Sequence, residues 1–137
     1  MENKLLFETK IDMVPPPKTN SYLSSKSGKR FIPQDISCKI DKIVLLLKSE
    51  KQLKKLKTIE NYVLLDVLFV LPSRRIKDLD NMVKTLGDCL QKAEIIKNDN
   101  LIAKTVMEKA FFRKNSRIKN KEGITHIKIY QHKLREL

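Results

Sequence analysis

The stretch YVLLDVLFVLPSRRIKDLDNMVKTLGDCLQKAEIIKNDNLI, Tyr62 to Ile102, decides the fold. Its first ten residues, Tyr62 to Leu71, are rich in Val and Leu and are halted by Pro72, which predicts a strand. Leu79, Met82, Val83, Leu86 and Leu90 then recur at helical spacing, with Asp78 placed to cap a helix ahead of them. Cys89 and Ala93 extend the packed face of that helix. Gly87 lowers its intrinsic propensity and permits close approach of a neighbouring element. Ile95 to Ile102 reads as a turn carrying a carboxylate between apolar flanks, and a further strand begins near Leu101 and includes Val106.

Working outward, Leu5-Leu6-Phe7 with Ile11, Met13 and Val14 reads as a short strand stopped by Pro15-Pro16-Pro17, too short for a stable helix. Lys18 to Pro33 is polar, contains Gly28 and carries Lys26, Lys29 and Arg30, which predicts an exposed basic loop. Asp35 is positioned as a cap, and Ile36, Ile40, Ile43, Val44 and Leu47 predict an amphipathic helix from about Ile36 toward the run Lys51 to Lys57. Ile124 to Tyr130 supplies a last strand after a Lys121-Glu122-Gly123 turn. The order β, loop, α, β, α, β, β favours an α/β or α+β fold, a small mixed sheet packed against amphipathic helices, with strand order unreadable.

Length and charge bound the rest. The chain has 137 residues, enough for one domain spanning 1–137, and 29 Lys or Arg against 16 Asp or Glu give a net charge of +13. Such an excess attracts polyanions, because each cation set against a phosphate releases condensed counterions. Lysine dominates that excess, and the competing reading is that a lysine-favouring coding bias supplies part of it. No apolar run is long enough for a membrane span and Met1 to Lys10 does not resemble a secretory signal, so a cytoplasmic location is expected. Cys38 and Cys89 are too few for a disulfide framework, and His126 and His132 lie far from both, without zinc-ligand spacing. Lys104 to Lys121 holds seven Lys or Arg against one Glu and could lie along a nucleic-acid backbone or remain solvated.

Chemistry concentrates in KDLDNMVKTLGDCL, Lys77 to Leu90. Asp78 and Asp80 stand at the helix start, and Lys84 follows Asp80 by four residues, on the same helical face. Capping, solubility and an Asp80–Lys84 ion pair would account for these residues structurally. If the turn after the helix folds back toward its beginning, Asp99 joins Asp78 and Asp80 in a three-carboxylate set suited to Mg²⁺ or Mn²⁺. Hard cations prefer oxygen donors, retain waters and serve phosphodiester hydrolysis. Lys84 could stabilise transition-state charge, and Asn81 could hydrogen-bond phosphate, water or backbone.

At these residues the chain resembles the RusA family of Holliday junction resolvases, endodeoxyribonucleases often encoded by phages and prophages. PPPKTNSY, Pro15 to Tyr22, is similar to the family's proline-rich opening, and SRRIKDLDNMVKTLGDCLQKAEIIKNDNLI, Ser73 to Ile102, to its basic lead-in, DLDN helix and acidic turn. The resemblance implies a small α/β homodimer that binds four-way DNA junctions and makes paired incisions dependent on Mg²⁺, with Mn²⁺ able to substitute. It implies catalytic roles for Asp78, Asp80, Lys84 and Asp99, with the three acids as metal ligands. Asn81 matches the Asn of DLDN, and Asp88 matches a further helix acid. Two departures stand out: Asn98 takes the place of an acid beside Asp99, and Lys77 replaces an Arg, losing the bidentate fork. Arg74, Arg75, Lys77 and the 104–121 region are expected to track DNA backbone. A non-catalytic junction-binding module, or a metal-dependent nuclease of flaps or duplexes, would share much of this pattern.

Overall fold

The computed structural model describes residues 3–16, 23–24, 30–31, 34–74 and 78–137. In chain order the elements are β1 (Leu5–Ile11), β2 (Leu23–Ser24), β3 (Arg30–Phe31), α1 (Gln34–Leu53), β4 (Val63–Leu71), α2 (Leu79–Lys92), a 3₁₀ turn (Asp99–Leu101), β5 (Ile102–Phe111) and β6 (Ile124–Gln131). β4 organises the core. Its odd-numbered residues, Val63, Leu65, Val67, Phe69 and Leu71, are all buried, whereas Leu64, Asp66, Leu68 and Val70 are only partly covered. That alternation marks a sheet with one face under helices and one face open, as a two-layer α+β architecture requires.

The sheet order is β1-β6-β4-β5. β6 runs antiparallel to both β1 and β4, whereas β5 runs parallel to β4. The parallel pair forces a crossover, and α2 supplies it, so β4-α2-β5 is a βαβ unit. Ile40, Ile43 and Leu47 of α1 and Met82, Leu86, Cys89 and Leu90 of α2 complete the core against Phe7, Ile11, Ile127 and Ile129. Each such side chain contributes about 1.5–3 kcal/mol on leaving water. Both predicted helical stripes are the buried ones.

Some boundaries moved. α1 starts at Gln34, so Asp35 lies inside the first turn and not at the cap, where it still favours the positive helix end. The helix stops at Leu53, ahead of Lys55 in the left-handed region at φ 52°. The predicted loop after the prolines contains a minimal antiparallel pairing of β2 with β3, and the rest of 17–33 lies outside the described residues.

Two glycines carry different weight. Gly123 has φ 81°, and a β-carbon there would come within 2.6 Å of the Val70 carbonyl oxygen and 2.5 Å of Val14 Cγ2. Only glycine lets β6 begin that close to β4. Gly87 is buried, but a methyl group on it would meet Ile102 Cδ1 at 3.7 Å and Asp99 Cβ at 3.9 Å, ordinary contact distances. Space is therefore left unfilled in a helix interior. We expect Gly87→Ala to stabilise the fold by about 0.5–1 kcal/mol, from propensity alone. Urea unfolding checks this, and destabilisation would mean that the 99–102 segment cannot yield even a few tenths of an ångström.

Candidate active site

The geometry of a helix start holds the first acid. Asp78 has extended dihedrals (φ −79°, ψ 117°) at the N-cap of α2, and its Oδ1 accepts the Asp80 N–H at 2.9 Å. Its Oδ2 accepts the Asn81 side-chain amide at 3.4 Å. The capping expectation for Asp78 is met, and the carboxylate is fixed where the helix dipole and unpaired N–H groups favour negative charge. Both oxygens retain further acceptor capacity, and the residue is exposed. Asn81 is only 8% exposed, so its amide orients Asp78 and does not reach outward.

Asp80 and Lys84 lie one turn apart toward solvent, yet no ion pair joins them, and neither has a side-chain partner among the described residues. The structural account of this spacing, an i,i+4 salt bridge, is not used. A carboxylate and an ammonium group are instead displayed side by side at the start of α2.

Asp99 lies elsewhere. β5 is parallel to β4 with Val63 opposite Ile102, so the chain must return to the beginning of β4 before β5 starts. Asp78 and Asp80 follow the end of β4, at the other end of the crossover. Asp99 packs beside Gly87, seven residues along α2 from Asp80, roughly 10 Å at 1.5 Å per residue. Its N–H donates to Gln91 Oε1 at 2.9 Å. The turn does not fold back to the helix start, and among the described residues no three His, Cys, Asp or Glu side chains gather to hold a metal ion. The three acids thus do not form one cation site within a single chain. Asn98 Oδ1 accepts the Asn100 N–H at 3.0 Å, which caps the 3₁₀ turn.

Sequence reading missed one positioning residue. Thr85 is buried, and its hydroxyl lies 2.8 Å from the Pro16 carbonyl oxygen and 3.0 Å from that of Asn81. Its one hydrogen thereby ties the candidate catalytic helix to the proline-rich segment. A polar residue on the apolar stripe, one turn after Asn81, was the available signal.

At the end of β4, ahead of α2 in the chain, is a basic cleft. Arg74, Phe111, Arg113, Lys114 and Lys119, with Leu71, Pro72, Ser73 and Phe112, line a depression between the β4–α2 turn and the β5–β6 loop. Four of these nine residues are cationic and none is acidic. The Arg74 guanidinium sits 4.8 Å from the centroid of the Phe111 ring, a cation–π contact that restrains a long side chain. Arg75 and Lys77 lie outside the described residues.

Comparison with known proteins identifies the family. The family model described as Endodeoxyribonuclease RusA matches residues 12–129. The chain belongs to the RusA family. It is also 37% identical over 95 residues to the crossover junction endodeoxyribonuclease RusA of Aquifex aeolicus (strain VF5), covering 69% of this chain and 73% of that protein. The RusA match takes in every candidate acid, the basic cleft and both helices. No helix among the described residues is long and apolar enough to cross a membrane.

Proposed function

We propose that this RusA-family chain is an endodeoxyribonuclease that resolves four-way DNA junctions by paired phosphodiester hydrolysis, working as a homodimer. The observation that carries the reading is an acid pair and an outward lysine at the start of α2, together with an acid-free basic cleft at the end of the preceding strand. Phosphate tracks the cleft through Arg74, Arg113, Lys114 and Lys119, with Arg75 and Lys77 adding charge nearby in the sequence. The scissile group then lies against Asp78, Asp80 and Lys84, where the ammonium group balances charge developing on the phosphate. Asn81 acts as the positioning residue for Asp78.

Asp78 and Asp80 offer hard oxygen donors appropriate to Mg²⁺, with Mn²⁺ as substitute. Asp99 is not in that donor set within one chain, and this favours one rival: a junction-binding protein without nuclease activity. End-labelled four-way junctions, flaps and matched duplexes, each incubated with Mg²⁺ or Mn²⁺, separate the readings. Symmetric paired incisions confined to junctions are expected. Junction binding with no cleavage under either metal favours the rival, and equal cleavage of all substrates removes junction selectivity.

The cleft makes its own prediction. Arg113→Gln combined with Lys119→Gln should weaken junction binding uniformly across sequences. The slope of log affinity against log salt should fall by about one for each phosphate that is no longer neutralised. An unchanged slope, measured by fluorescence anisotropy, would place the DNA elsewhere.

A further inference from the structure

The two edges of the sheet are finished differently. On β1, the Lys54 ammonium group reaches over from the end of α1 and donates to the Glu8 carbonyl oxygen, while its charge lies 5.4 Å from the Phe7 ring centroid. That edge is blocked by a side chain. β5, at the opposite edge, runs for ten residues and pairs only with β4 among the described residues. The helix layer reaches the start of β5 at Ile102 but leaves residues further along the strand open. Met107 is in register with Val67 and Phe111 with Leu71, both buried, yet Met107 and Phe111 are 37% and 36% exposed, and Val106 on the other face is 47% exposed. A long edge strand with apolar groups open on both faces is a template for another strand.

We infer that β5 pairs antiparallel with β5 of a second copy of this chain, about a two-fold axis at Val106. This rests on the homodimer proposed above and assigns its interface. A two-fold axis normal to the sheet pairs only residues on the same face, so few registers are allowed. Centring on Lys104 or on Glu108 sets like charges against each other. Centring on Thr105 sets Glu108 opposite Ile102, and centring on Met107 sets it opposite Val106. Centring on Val106 instead places Lys104 opposite the partner's Glu108, twice by symmetry, with Ile102 opposite the partner's Ala110 and Thr105 opposite the partner's Met107. Lys104 and Glu108 have no ion-pair partner within their own chain among the described residues. The same pairing covers Met107 and Val106, the exposed apolar groups at the centre of the strand. Opposite charges directly across a strand pair are favourable and like charges are not.

Sedimentation equilibrium on the full chain, with cleavage of labelled junctions run alongside, tests this. Lys104→Glu and Glu108→Lys should each weaken dimerisation by about tenfold, and the double variant should recover most of the loss. Val106→Cys, in a Cys38→Ser background, should oxidise to a covalent dimer, because directly opposed residues lie at disulfide range. A dimer indifferent to both charge reversals, with Val106→Cys failing to cross-link, overturns this interface and leaves the resolvase reading standing. A wild-type chain that is monomeric yet cleaves junctions overturns the dimer and this interface together. Loss of cleavage with the dimer intact counts against the nuclease reading alone.

Discussion

Replacing Asp80 with Asn should abolish junction cleavage, by about 10²-fold or more, while junction binding and folding persist. Asp80 lies toward solvent in the first turn of α2 and its side chain has no partner among the described residues, so little packing depends on it. The structural cost is limited to the lost favourable charge at the helix N-terminus, about 0.3–1 kcal/mol. A group aimed at the reacting phosphate costs far more: single electrostatic groups of this kind are worth about 2.7–4 kcal/mol in the transition state. Asp78→Asn is the companion test. Asn caps a helix nearly as well as Asp, so the helix start is retained while the charge is removed. Loss of cleavage in Asp78→Asn with unchanged thermal stability therefore separates chemistry from capping. Retained cleavage in both variants would show that the pair is ordinary helix-start chemistry.

Leu86→Ala should act in the opposite way, costing stability first. Leu86 is fully buried on α2, between the helix and the sheet, among Met82, Cys89 and Leu90. Truncating a leucine in such a site costs about 2–5 kcal/mol, a large share of the roughly 5–15 kcal/mol that holds a domain together. A Tm lower by roughly 10 °C is expected from the entropy of unfolding of a chain of this size. Cleavage measured well below that Tm should be nearly normal, because Leu86 faces away from the exposed acids. If cleavage fell at low temperature as well, α2 would be shifting as a body and the site would depend on its depth in the core.

Much of the fold was legible because burial imposes periodicity. The β4 run and the stripes of α1 and α2 were readable from side-chain type alone, since a half-covered strand must alternate and a packed helix must repeat about every 3.6 residues. Helix ends were less legible. The start of α1 at Gln34, one residue before the acid chosen as its cap, shows that several polar residues near a terminus can each fill such a role. The β2–β3 pairing left no apolar signature in a polar segment. Within the site, Asp78 as a cap followed from its position ahead of the stripe. Thr85 was missed because its partner, Pro16, lies 69 residues away in the chain.

By itself the sequence determined both helices, the long strands, the positive field and the family, because those depend on residue type and on spacing along the chain. It also determined that Asp78, Asp80 and Lys84 stand together at one helix start, since about 3.6 residues per turn leaves no other arrangement for neighbours this close in the chain. Where Asp99 stands was decided by the tertiary structure. Its place depends on β5 running parallel to β4, and that direction is set by which sheet edge the returning chain finds, not by any local residue preference. The same choice left β5 at an edge of the sheet, paired only with β4 among the described residues.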